Sequence, residues 1–401
     1  MATTVLPAAR ILSLDVLRGV AVLGILVMNI QSFSMIEWAY FNPTAYGDLT
    51  GINHWIWYLS RLFFDSKFMA IFSMMFGASM LLIIERAQEK GHRPFVVHAR
   101  RNFALLLIGA AHAYLLWSGD ILFPYAVCSF FVFLFRHRRP RTQLVAGLVV
   151  LLLGSLILYS GSMQPDSPDL REQVAEFQPT DEMVAEEVAT YRSGWLEQME
   201  HRVPTTRDMH LWVLPSYYFW RVSGMMLIGM ALFRWGVLSA ERSSRFYLTL
   251  IGFGVVVGLP MVHMSVTASE AAHWSYKSTF FVANLWNYWG SLFVALGWIG
   301  VVMLVCRSPL GLVEFSAVAS VGRMAFTNYL MQTILCTTFF YGHGFGQFGR
   351  LERLEQIFVV IAVWALQLLW SPWWMKRFHY GPAEWVWRWA TYGKRPPMRR
   401  V

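Results

Sequence analysis

The sequence predicts an all-α, polytopic integral membrane protein of about ten transmembrane helices, and three observations carry that prediction. Of the 401 residues 56% are hydrophobic, 16% aromatic and only 14% charged. Mean hydropathy is +0.43, well outside the balance of a soluble globular domain. Apolar runs of about 20 residues, long enough to cross a bilayer, recur along the chain with short basic blocks between them.

Composition also excludes several classes. Cys128, Cys306 and Cys336 each fall inside an apolar stretch without CxxC or Cys/His spacing, so no disulfide framework and no metal site is expected. The net charge of +9 sits in blocks between hydrophobic runs rather than in one aromatic-laced patch. It reads as a topology signal, and no nucleic-acid partner is expected.

Taken in order, the spans fall near 14–36, 67–85, 101–118, 119–136, 142–161, 212–233, 246–265, 280–305, 317–341 and 356–376. The first, "SLDVLRGVAVLGILVMN", has charges at its head but continues for a full crossing without a small-residue cleavage motif, so it stays as a helix and not a signal peptide. A short aromatic segment, 52–64, is read as lying at the interface. The third and fourth spans are joined by "WSGD" and so form an antiparallel hairpin. Residues 162–211 differ, with eleven Asp or Glu against four Arg, and read as an acidic extracytoplasmic loop, solvated and partly helical. The chain thus divides into a membrane half at 1–161, the loop at 162–211 and a second membrane half at 212–401. The last of these closes with "GPAEWVWRWATYG", an amphipathic helix expected to place Trp385, Trp387 and Trp389 at lipid headgroups and Arg388 on lipid phosphates.

Lys and Arg in "RAQEKGHRPFVVHARR", "RHRRPR", "RWGVLSAERSSR" and "GKRPPMRR", together with Arg10, lie on one side of the ten-helix count. Both termini are therefore expected in the cytoplasm, in a multi-pass protein of a bacterial inner membrane.

Polar groups inside such helices point to function, because lipid tolerates them only where they meet a partner or a cavity. Arg18 and Asn29 are separated by ten residues and share one helical stripe, about 16 Å apart along the axis. Arg101 and His112 repeat that spacing, and Asp120 follows within reach of the imidazole, which it could orient and make more basic. Asp65 and Lys67 open the second span; Arg323, Thr327, Asn328 and Gln332 form a polar seam on the ninth. Each has a plainer reading: Asp15 and Arg18 as interface anchors, His112 and Asn29 as hydrogen-bonders between helices, Lys67 as a snorkelling amine.

At these residues the chain resembles the bacterial YeiB-type membrane proteins, whose C-terminal half carries the domain of unknown function 418. The matching stretches, in order, are "SLDVLRGVAVLGILVMN", "AYFNPTAYG", "KFMAIFSMMFGA", "GAAHAYLLWSGDILFPYA", "GMMLIGMAL", "VGRMAFTNYLMQT" and "GPAEWVWRWATYG". More distantly, the first helix is similar to that of transmembrane acyltransferases, namely the heparan-α-glucosaminide acetyltransferase and the acyltransferase-3 proteins. In those a DxxRG-type helix leads to a polar residue eleven positions after the arginine, here Asn29. The catalytic histidine of the heparan enzyme has no counterpart: Tyr40 stands at about that offset and the nearest histidine is His54.

This resemblance implies a transmembrane acyltransferase-like bundle with acyl-CoA, acetyl-CoA first, as cytoplasmic donor. Asp15, Arg18, Arg101, Arg323 and Asn328 would hold the donor; Asn29 would act at the thioester with His112 and Asp120, a pair read from its own placement in this sequence and not carried over from the family. Lys67, Gln332 and Trp117 are assigned to an acceptor, whether glycan, lipid or small molecule. Membrane lipids are expected partners, and a homodimer is compatible with the sequence. Two rivals stay open: a transporter of a small or lipid-like solute, which the polar mid-membrane residues also suit, and a scaffold docking through 162–211.

Overall fold

A bundle of apolar helices builds the protein in a computed structural model that describes residues 11–308 and 315–400; Arg10 lies outside the described residues. The helices are, in chain order, α1 (Leu12–Ser34), α2 (Gly51–Phe63), α3 (Lys67–Glu89), α4 (Pro94–Leu115), α5 (Leu122–Phe133) and α6 (Pro140–Gly161). Next come α7 (Pro168–Phe177), α8 (Asp181–Arg192), α9 (Met199–Asp208), α10 (Phe219–Arg234), α11 (Ser244–Phe253), α12 (Leu259–Ala271) and α13 (Asn284–Arg307). The last are α14 (Ser316–Arg323), α15 (Ala325–Phe340), α16 (Arg353–Arg377) and α17 (Pro382–Tyr392). Among the described residues no strand forms apart from one isolated bridge, Phe378 to Arg399.

Among the described residues six stretches are long and apolar enough to cross a membrane: Leu12–Ser34, Gly51–Glu89, Pro140–Gly161, Ser244–Ala271, Lys277–Arg307 and Arg353–Arg377. Helices α4, α5, α10 and α15 fall outside that set, and they carry Arg101, His112, Arg221, Asn328, Gln332 and Thr333. Most residues of α10 and α15 are buried, whereas α6, α11 and α16 expose apolar faces. The polar load thus sits on buried helix faces: α10 and α15 lie inside, and α4 turns Phe103, Leu107 and Leu115 outward and His112 inward.

The bundle has two ends. At the basic end, Ser13 Oγ donates to Leu238 O (3.0 Å) and the Arg234 guanidinium donates to the carbonyls of Arg136 and Arg138. The acidic end carries residues 35–50, 162–208 and 341–352. There the segment read as a solvated loop is three helices packed on the bundle. Most of its charges face outward, Arg202 being buried at 2% exposure, while Leu170, Phe177 and Tyr191 are buried, and Tyr191 stacks on Phe348 at 4.4 Å. Glu187 accepts from the Glu37 backbone N–H (2.8 Å), and burial holds its carboxyl up to about 7. The sixth span is longer than its apolar run, since α9 passes through a π-helical segment, Met209–Tyr218, directly into α10. From Met199 to Arg234 this rod is about 50 Å long, more than a bilayer core requires.

Glycines set close helix crossings. A Cβ on Gly322 would lie 1.8 Å from Asp15 O, and one on Gly19 would lie 2.1 Å from Val318 O, so α14 and α1 touch backbone to backbone. The ninth predicted span, 317–341, is not one helix, because Met324 leaves helical geometry (φ −112°, ψ 27°) and separates α14 from α15. The break exposes the first amides of α15, and Glu384 of α17 caps them. Its carboxylate accepts from the N–H groups of Phe326 (2.8 Å) and Thr327 (3.2 Å) and from Thr327 Oγ1 (2.5 Å). Glu384→Ala is accordingly expected to cost about 1–2 kcal/mol and to release the tail. Thermal midpoint and protease cleavage beyond residue 378 would read both effects, and an unchanged cleavage pattern would count against this cap.

Candidate functional site

His112 lies in the last turn of α4, where Leu116 N–H and Trp117 N–H both donate to its carbonyl at 3.0 Å and end the helix. The WSGD turn then reverses the chain tightly. Gly119 packs against the Trp117 indole, and a Cβ on Gly109 would meet Phe123 N at 2.5 Å. Asp120 accepts the Phe123 N–H with Oδ2 (2.7 Å), satisfying an orphan amide at the start of α5. With Oδ1 it meets His112 Nδ1 at 2.8 Å. Both residues are buried, at 2% and 1% exposure.

A carboxylate at Nδ1 assigns the proton to that nitrogen and leaves the Nε2 lone pair outward. It faces a hydroxyl: Thr333 Oγ1 of α15 stands 3.0 Å from Nε2. The result is an Asp–His–Thr chain with a basic nitrogen held on an alcohol, an arrangement that can accept a proton from a hydroxyl. Around it Tyr329 (ring centroids 5.4 Å) and Trp117 (6.4 Å, edge-on) wall the imidazole, and Trp117 packs on Phe33 of α1 at 4.2 Å. Asn29, half-buried, lies one turn before Phe33 on the same face of α1. The acidic segment covers the site. Trp195 Nε1 and Arg202 Nη1 donate to Leu115 O (2.8 and 3.0 Å) and Thr206 Oγ1 to Ala113 O (3.1 Å), taking up the last carbonyls of α4.

At the basic end, about 16 Å along α4 from His112, Arg101 lies under the Trp387 indole at 3.4 Å, and Trp387 Nε1 donates to Arg101 O. Arg18 and Arg388 are both within electrostatic reach of Arg101. Arg18 pairs with Asp15 (3.0 Å) and donates to Ser79 Oγ (2.8 Å), keeping a quarter of its side chain exposed. Arg323 follows Gly322 and so stands at the level of Asp15. Beside Arg101 is a cavity of about 10 Å³ lined by Phe76, Met80, Ile83, His98 and Asn102, room for one water.

A family profile described as a protein of unknown function, DUF418, matches residues 232–394. The chain is 32% identical over 392 residues to the uncharacterized protein YeiB of Escherichia coli K12, covering 95% of this chain and 96% of that one. The chain belongs to the YeiB family. The YeiB-type relative YxaH of Bacillus subtilis 168, also described as uncharacterized, is 31% identical over 413 residues, 98% of this chain and 96% of its own. A 39.9 kDa protein encoded in the amylase 3′ region of Bacillus acidopullulyticus is 25% identical over 389 residues. This YeiB-type chain is therefore a multi-pass membrane protein of a bacterial family. Its DUF418 match runs from the last turn of α10 through α17, so Thr333 and Glu384 lie inside it and His112 and Asp120 outside.

The YeiB-type bundle brings together some of the sequence-predicted residues and separates others. His112, Asp120 and Trp117 meet, with Asn29 on the adjoining helix; Asp15, Arg18 and Arg101 share the basic end with Arg323. Asn328 is used by the fold itself: its Nδ2 bonds Val321 O and Ser371 Oγ, both at 3.1 Å, and its Oδ1 accepts from Trp370 Nε1 (2.9 Å). Gln332 likewise bonds Val22 O (3.0 Å) and Gln367 (3.1 Å), tying α15 to α1 and α16. Lys67 belongs to a separate cluster with Asp65 and Asn287. In α17, Trp387 is buried on α4 instead of lying at headgroups, and Arg388 packs over the Tyr380 ring (4.6 Å). Thr333 and Arg221 were missed by sequence reasoning. Arg221 had a signal, a lone arginine in an apolar span.

Proposed function

We propose that this protein is a membrane-embedded acyltransferase, moving an acyl group, acetyl first, from acyl-CoA at the basic end to a glycan, lipid or small-molecule acceptor. The observation that carries this reading is the buried Asp120–His112 pair presenting Nε2 to a hydroxyl. In the reaction His112 Nε2 takes the proton of an acceptor hydroxyl or amine placed where Thr333 Oγ1 now bonds, and Asp120 steadies the imidazolium. The acceptor attacks the thioester carbon, Asn29 donates to the oxyanion, and the C–S bond breaks as the imidazolium returns the proton to the leaving thiolate.

Arg18, Arg101 and Arg323 would hold the donor's phosphates. Trp387 covers Arg101, so the tail must release that guanidinium before it can bind phosphate. The basic end would face the cytoplasm, and the membrane would be the bacterial inner membrane, by the positive-inside rule.

Equilibrium binding of acetyl-CoA and longer acyl-CoAs to the purified protein tests this directly. Arg18→Ala is expected to weaken donor binding about tenfold or more, the worth of a charge-assisted phosphate contact. Absence of binding to any acyl-CoA by folded protein would remove the reading, and solute uptake into vesicles without an acyl donor would favour a transporter.

A further inference from the structure

Toward the acidic end, α2, α3, α10 and α13 bring together one carboxylate, Asp65, two cations acting on it, Arg61 and Lys67, and a third cation, Arg221, near Lys67. Lys67 and Arg221 are fully buried, Asp65 is 1% exposed and the Arg61 side chain 12%. Asp65 is saturated. Its Oδ2 meets Arg61 Nη1 (2.7 Å) and accepts from Asn287 Nδ2 (2.6 Å), while Oδ1 accepts from Tyr40 Oη (2.6 Å) and Ser66 Oγ (3.3 Å).

The cations are less well served. Lys67 Nζ donates to Arg61 O (2.7 Å) and Asn287 Oδ1 (3.0 Å), which leaves one of its three N–H bonds. Arg221 donates to Tyr288 O (2.6 Å) and Ser291 Oγ (2.5 Å) and lies over the Tyr288 ring at 4.6 Å, but its Nε has no partner among the described residues. Arg61 and Arg221 both stand within electrostatic reach of Lys67, and Asp65 is the carboxylate facing it. Three cations against one anion leave two positive charges in excess, or one if Lys67 is a neutral amine.

Buried charge without a counter-ion is costly in a protein interior and more so between apolar helices. A cluster built this way is complete only with an anion. We propose that Arg221, Lys67 and Arg61 form a binding site for a phosphate-type oxyanion, with the Arg221 Nε–H and the remaining Lys67 N–H as its donors. An excess of one or two charges matches the one or two negative charges of a phosphate, and donors on different helices match an anion with several oxygens. The phosphate is a phospholipid headgroup or a free solute. The site lies at the opposite end of the bundle from Arg18 and holds whether or not acyl transfer is the activity.

The test uses full-length protein in detergent, with inorganic phosphate replacing chloride at constant ionic strength. A saturable rise of several degrees in thermal midpoint and saturable binding of [32P]phosphate are expected for the native sequence. Both should fall at least tenfold in apparent affinity in Arg221→Gln and Lys67→Gln, and Arg221→Lys should restore most of the loss. In phosphate-free buffer the Lys67→Gln protein should melt no lower than the parent, because the cluster loses one of its excess positive charges while Arg61 stays on Asp65. Should neither glutamine variant fold, Arg61→Gln, whose side chain reaches the surface, carries the comparison. Phospholipid retained through detergent washing and lost in the variants assigns the phosphate to a headgroup, whereas binding only after delipidation with phosphate assigns it to a solute. No bound phosphate and no retained phospholipid, or equal binding in parent and variants, overturns the proposal.

Discussion

Replacing His112 by glutamine is expected to lower acetyl-CoA turnover, followed as release of free CoA thiol in native membranes that supply the acceptor, by about a thousandfold. Glutamine keeps a polar side chain of similar reach but has no basic nitrogen to offer Thr333. Asp120→Asn is the sharper companion. Asp120 uses both oxygens as acceptors, one for His112 Nδ1–H and one for Phe123 N–H, and an amide has only one. Either the Phe123 amide is orphaned, or the imidazole turns its proton to Nε2 and loses its outward lone pair. The second outcome should cost about a hundredfold or more in rate with the chain still folded. Parent-like turnover in a folded His112→Gln protein would leave His112 as a clamp between α4, α5 and α15 and nothing more.

The second large effect is on stability. Gly322→Ala should destabilise the protein by about 2–3 kcal/mol, seen as a lower thermal midpoint in detergent, because its Cβ would enter the backbone of Asp15 and Gly19. The sign is informative. Glycine inside a helix is worse than alanine by roughly 1 kcal/mol when nothing touches it, and Gly252 of α11 has nothing within 4 Å of its Cβ position. Gly252→Ala should therefore leave the protein unchanged or stabilise it. If both variants behave alike, the α1–α14 contact is looser than described. Since Arg18 and Arg323 flank that contact, Gly322→Ala should also weaken acyl-CoA binding.

The sequence exposed the crossings because each leaves an apolar run of fixed minimum length. It exposed the His112–Asp120 pair because only seven residues, with one tight turn among them, lie between the two. Thr333 escaped notice because it comes to the imidazole from 221 residues away. The docking of Trp387 on Arg101 bridges 286 residues, so α17 read as an interfacial helix when its indole is the cover of a guanidinium. The break at Met324 carries no proline, and its cap, Glu384, lies on another helix. Residues 162–211 looked solvated because their charges outnumber the few apolar side chains that dock them. Composition records how much is polar but not which face it occupies.

The rod from Met199 to Arg234 joins the two ends in one piece. Its upper part bonds the carbonyls that close α4 over His112, and its lower end grips the α5–α6 link through Arg234. A stiff beam pinned at both ends pivots where it is softest, and here that is the π-helical stretch around Pro215, where wider turns and a proline weaken the ladder. Opening the cover over His112 therefore bends the beam at that stretch or drags its foot. In either case the door at one face and the floor at the other are parts of a single mechanical member.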